Sequence, residues 1–176
     1  FQFLAALIIA IPTIIAQEYL VTASGKMTSL EKISQIEKSE KTKYYTLKEI
    51  YIDKKNIGIV KTASVTGKHN EDFNMLIYIT MPILETVEDT SKFECEYWLG
   101  KRYDKRISNR LSEEEKNREY KKFSKSVEQE FAETDFNKFT YLEMQGNTDD
   151  LDSYIDAIDE NTFFDFKNPT VFEAKN

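Results

Sequence analysis

The stretch NMLIYITMPI, residues 74–83, limits the possible folds more than any other segment. Met75, Ile77, Ile79 and Met81 are apolar at alternate positions, and Leu76 and Tyr78 make the intervening positions apolar too. A strand with one wet face alternates apolar with polar side chains, so a strand oily on both sides needs a covering layer above and below. The segment reads as a central strand. Pro82, which has no N–H for a sheet ladder, reads as its end.

Strand signals surround it. In KYYTLKEIYI, from Lys43, Tyr45, Leu47 and Tyr51 share one face while Ile50 and Ile52 share the other. DKKN at 53–56 is a turn signal, and IGIVKTASVTG, with Ile57, Ile59, Ala63 and Val65 in alternation, is the expected partner strand of an antiparallel hairpin. FECEYWL alternates Phe93, Cys95, Tyr97 and Leu99 against Glu94, Glu96 and Trp98, the pattern of a strand with one wet face. Gly100 is expected to turn the chain into a weaker segment, KRYDKRI. NKFTYLEM reads as a further short strand, TFFDF as an edge strand and KNPTVFEAKN as an exit tail.

Helical periods appear later. Ser112 and Glu115 have capping-box spacing behind Leu111, and Tyr120, Phe123, Val127 and Phe131 then form one apolar stripe to about Glu133. Leu151, Tyr154, Ile155 and Ile158 mark a second, shorter helix, and Thr28 with Glu31 heads a short one over about residues 29–38. Strands gathered ahead of helices predict α+β. The expected architecture is an antiparallel sheet of about 4–6 strands with one long and one shorter amphipathic helix packed on it, preceded by a hydrophobic N-terminal helix.

That hydrophobic segment is FQFLAALIIAIPTIIAQEYL, in which only Gln2, Pro12 and Thr13 interrupt the run from Phe1 to Ala16. A membrane span needs about twenty apolar residues and an export signal a core of about 7–15. Gln17 and Glu18 follow, and no Lys appears before Lys26, whereas cytoplasmic flanks are rich in Lys and Arg. The expected location is therefore membrane-anchored with the domain outside the cytoplasm, or secreted or periplasmic if the segment is cleaved. A buried core helix is the third reading. Ile14 is a poor fit to the small-residue rule for cleavage after Ala16, which favours a span. The start at Phe1, without an initiator Met, reads as a cut from a longer gene product. The expected division is 1–22 as span or signal, 23–42 as helical linker, 43–166 as a single α+β extracytoplasmic domain and 167–176 as exit linker or tail.

Composition excludes several functions. The 31 acidic residues outnumber 24 basic ones for a net charge of −7, a balance that repels phosphate backbones and disfavours nucleic acid as a partner. The lone Cys95 can form neither an internal disulfide nor a thiolate zinc site. Twelve Phe and ten Tyr against five Gly and three Pro argue for a packed core.

Candidate chemistry is sparse. His69, Asn70 and Glu71 lie together between two strands, the one loop where a catalytic residue would be sought, though no nucleophile accompanies them. NTDDLDSYIDAIDE lacks a calcium loop's alternating oxygens, because Leu151 takes a ligand position, and it reads as an acidic helix start. Lys101, Arg102, Lys105, Arg106 and Arg110 are the one basic concentration, read as a solvated surface because Asp104 sits among them. No catalytic residue, metal site or cofactor is assigned.

The hydrophobic run, followed by ASGKMTSLEKISQIEKSEKTKYYTLKEIYIDKKNIGI and TGKHNEDFNMLIYITMPI, resembles the extracytoplasmic insert of bacterial membrane proteins of the rhomboid-type intramembrane serine protease family. That family uses a Ser in G-x-S-G and a His on membrane helices. Thr22-Ala23-Ser24-Gly25 lacks the first Gly and His69 lies in the soluble part, so no catalytic role carries over. The resemblance implies proteolytic machinery elsewhere in a parent protein. The expected function is a non-enzymatic, membrane-anchored accessory or interaction domain, its partners the bilayer through residues 1–22 and a protein or the rest of the parent. The alternative is a secreted or periplasmic small-ligand-binding protein or hydrolase with a site between sheet and helix.

Overall fold

A computed structural model describes residues 25–87, 89 and 94–176. The apolar run of 1–22 lies outside these residues, as does Phe93. Among the described residues no helix is long and apolar enough to cross a membrane. The chain is α+β, with strands β1 (Met27–Leu30), β2 (Tyr44–Leu47), β3 (Tyr51–Ile52), β4 (Gly58–Thr66), β5 (Asp72–Leu84), β6 (Tyr97–Ser108), β7 (Tyr141–Met144) and β8 (Thr170–Lys175). The described residues also include two α-helices, α1 (Glu113–Glu133) and α2 (Asp149–Asp159), and a 3-10 turn at Ile33–Lys38.

The eight strands form one mixed sheet in the order β1-β2-β7-β8-β6-β5, with β3 and β4 sharing the far edge of β5. The β1–β2 and β6–β8 junctions are parallel and the others antiparallel. The expected antiparallel sheet of about 4–6 strands is thereby corrected, and the sheet rather than a long helix dominates the architecture. Two short strands account for much of the difference. Residues 170–175, expected as part of a tail, form β8, which inserts between β6 and β7 and buries Val171 and Phe172. Residues 27–30, expected at the head of a helix, pair with β2, and only 33–38 coil, as a 3-10 turn whose Ile33 and Ile36 face the core.

The hairpin is corrected as well. All nine residues of β4 pair with β5, from Gly58↔Thr80 to Thr66↔Asp72, while β3 pairs with the other end of β5 through Ile52↔Ile83. DKKN is a turn, as expected, closed by the buried Asp53 carboxylate, which accepts the Lys55 N–H at 2.9 Å. It delivers the chain to a different stretch of the same neighbour instead of folding it back on residues 44–52. Pro82 does not end β5. It stands where the outer neighbour changes from β4 to β3, a position that asks for no N–H on that side. TFFDF contributes a single bridge, Asp165 with Glu94, rather than an edge strand.

The two oily faces of β5 are each covered. Met75, Ile77 and Ile79 meet Phe123 and Val127 of α1, and further along the same face Met81, Leu99, Phe172 and Leu142 meet Ile33, Ile36 and Phe136. On the opposite face Tyr78, Trp98 and Val171 meet Tyr154, Ala157 and Ile158 of α2. Trp98, expected on a wet face, is fully buried there. Full burial of such side chains stabilises the fold by roughly 1.5–3 kcal/mol each. Gly100 is no turn either: β6 runs straight through it, and the ring of Tyr154 lies where a side chain would be, 2.7 Å from an ideal Cβ.

Candidate interaction surface

The candidate loop closes the β4–β5 hairpin. Gly67 and Asn70 take left-handed backbone at φ 92° and 55°, which Gly accepts freely and Asn tolerates. Glu71 turns its carboxylate back on the turn, accepting the His69 N–H at 2.7 Å, and the Asn109 amide donates to the Asn70 carbonyl at 2.9 Å. His69, Asn70 and Glu71 are thus together, as in the sequence, with Glu71 and the Asn70 carbonyl occupied in shaping the turn and His69 exposed.

The basic concentration is divided by the pleat of β6. Arg102 binds Asp150 of α2 with both carboxylate oxygens, at 3.1 and 2.9 Å. Arg106 pairs with Asp72 at 3.4 Å, and Lys105 with Glu119 of α1 at 2.9 Å. Lys122 and Lys105 together hold the Glu119 carboxyl down at about 2. The acidic stretch is the start of α2, capped by Thr148, whose hydroxyl accepts the Leu151 N–H at 3.2 Å. Asp149, Asp150 and Asp152 lie in its first turn, where the helix dipole favours negative charge. Among the described residues no group of three or more His, Cys, Asp or Glu could hold a metal ion.

A polar row ties α2 to the sheet. Tyr78 donates to Asp150 at 2.6 Å, and the buried Tyr154 donates to Glu173 at 2.8 Å, which also accepts from Lys175 at 2.6 Å. Lys43 and Lys175 flank Glu143 at 2.7 and 3.3 Å and lower its pKa. Burial pushes the Tyr78 hydroxyl up to about 12 and Tyr154 higher still, so both stay neutral donors. Cys95 is buried, and its thiol, raised to about 11 by that burial, donates to the Tyr97 carbonyl at 3.2 Å. It is not poised as a nucleophile.

Two concavities bear on a ligand or a partner. A cavity of about 270 Å³ opens where β6 runs on past the end of β8, between Lys101, Arg102, Ala174 and the 134–138 segment. Its charges are largely answered internally: Asp135 by Lys138 at 3.5 Å, Glu173 by Lys175, and Arg102 by Asp150. A groove of about 170 Å³ lies between β4 and α1, lined by Ile57, Ile59, Ile77, Ile79, Val127 and Phe131 with Lys61 and Glu128.

The groove adjoins an open strand edge. Among the described residues β4 pairs with β5 alone, leaving the other side of nine residues without a strand partner. Gly58 on the α2 face is sealed by Ala157, but on the α1 face Ile59 and Val65 stay 39% and 46% exposed. The sequence marked this alternation as the partner strand of a hairpin. It contained no sign that α1 would cover β5 and β6 and stop short of β4, because that depends on where a helix lands rather than on local pattern.

No family model matches this sequence, and no curated protein or solved structure shows significant similarity to it.

Proposed function

We propose that this chain is a non-enzymatic accessory domain, anchored in a membrane by its apolar N-terminal run and displayed outside the cytoplasm, that works by protein contact along β4. The supporting observation is the β4 edge itself. Proteins usually blunt an open strand with charges, proline or a covering loop. Here nine residues carry one charge, Lys61, and expose Ile59 and Val65 beside an apolar groove. An extended segment added to such an edge gains main-chain hydrogen bonds while its alternate side chains enter the groove. The placement in the membrane rests on the sequence run and on the resemblance to the insert of rhomboid-type proteins, with this domain as an accessory to its parent.

The alternative of a small-ligand protein is less well supported, because the cavity beside β6 and β8 is lined by cations that, Lys101 excepted, already hold carboxylates.

The test is site-specific photocrosslinking in cells that make the full chain. A photoreactive residue at Ile59 or Val65 is expected to give discrete protein adducts, with the chain retained in washed membranes. Met27, 47% exposed on β1 at the opposite edge of the sheet, is the control. Equal labelling at all three positions, or none at 59 and 65, would contradict the reading.

A further inference from the structure

We infer that the partner at this edge is a second copy of the chain, its β4 paired antiparallel with the first about a two-fold axis at Thr62. The inference rests on the interaction reading and names its occupant. An edge with a single charge in nine residues offers little to a strongly charged segment and suits a nearly neutral strand with small and branched side chains. GIVKTASVT is itself such a strand.

Centring the pair on Thr62 engages all nine residues of each copy. Residues directly opposite in an antiparallel pair share a face, so Ile59 meets Val65, Val60 meets Ser64 and Lys61 meets Ala63 of the other copy. The two exposed apolar side chains cover one another. Lys61 faces no like charge, and Glu128 lines the same groove, so a carboxylate accompanies the one cation into the contact.

Neighbouring registers are worse. Centring on Lys61 sets that residue against itself, and like charges directly opposite are destabilising. Centring on Ala63 moves Ile59 opposite Gly67, whose φ of 92° takes it out of the strand. A register one residue off would mix the apolar row with Thr62, Ser64 and Thr66.

The register is testable by cysteine pairing in the full chain, since the native Cys95 is buried. Thr62→Cys is expected to form a covalent dimer on mild oxidation, because opposed residues bring their Cα atoms to about 4.5–5.5 Å, within disulfide reach. Ile59→Cys alone is expected not to, as its counterpart lies six residues away in this register, about 20 Å. Mixing Ile59→Cys with Val65→Cys is expected to restore the dimer. Equal crosslinking at 59 and 62, or none at 62 in protein that still melts cooperatively, would overturn the inference. Photoadducts at Ile59 with the mass of chain plus a different protein would overturn it too, while leaving the interaction reading intact.

Discussion

At Gly100 the ring of Tyr154 stands 2.7 Å from where a Cβ would be, and at Gly58 the carbonyl oxygen of Ala157 stands at 1.7 Å. Both contacts press α2 directly onto sheet backbone. A methyl group at either site forces movement, but at Gly58 the obstacle is helix backbone while at Gly100 it is a packed ring. Gly100→Ala is expected to cost about 2 kcal/mol and Gly58→Ala about 3 kcal/mol, read from urea unfolding midpoints. Equal stability to the unmodified chain would remove this account of how α2 is seated. The sequence suggested a turn at Gly100 because glycine most often signals one, yet here it serves close approach, which only the position of Tyr154 reveals. Trp98 was likewise hidden: its neighbours Glu94 and Glu96 precede the strand, so they set a false alternation for it.

Elements differed in how far they could be read. Helix α1 was legible from local chemistry: Ser112 and Glu115 form the reciprocal cap, at 3.2 and 3.0 Å, and Phe123 and Val127 of its stripe are buried. Strand β5 was legible because both its faces are apolar. Strands β1 and β8 were not, since four or six residues carry little periodicity and their place depends on partners far along the chain. Strand β8 nonetheless joins β6 to β7, and Phe172 packs against Tyr45 with ring centroids 5.8 Å apart. Deleting residues 170–176 is expected to abolish cooperative unfolding by circular dichroism, whereas loss of a frayed tail would leave it unchanged. Phe172→Ala is the milder version and is expected to cost about 3–5 kcal/mol.

For the whole molecule, the aromatic residues that fill the core also set its response to alkali. Burial raises Tyr78, Tyr97 and Tyr103 to about 12 and Tyr154 further, against about 10 in an unfolded chain. The stabilisation is complete below about pH 10 and is lost as pH rises through about 12, because there the unfolded state has released protons that the folded state still holds. Urea unfolding is expected to show constant stability from pH 8 to about pH 10 and a steep fall above it. A flat profile to pH 12 would mean these hydroxyls are not sequestered.

Function also belongs to this scale, since the β4 edge matters only through what lies against it. Residue-resolved hydrogen exchange along Gly58–Thr66 tests it directly, because β5 can protect only the amides facing inward. In membranes of cells making the full chain, both the inward and the outward amides of β4 are expected to exchange slowly, the outward set becoming fast after dilution or with Ile59→Lys. Outward amides that exchange fast in those membranes, while β5 stays protected, would contradict an edge that works by contact.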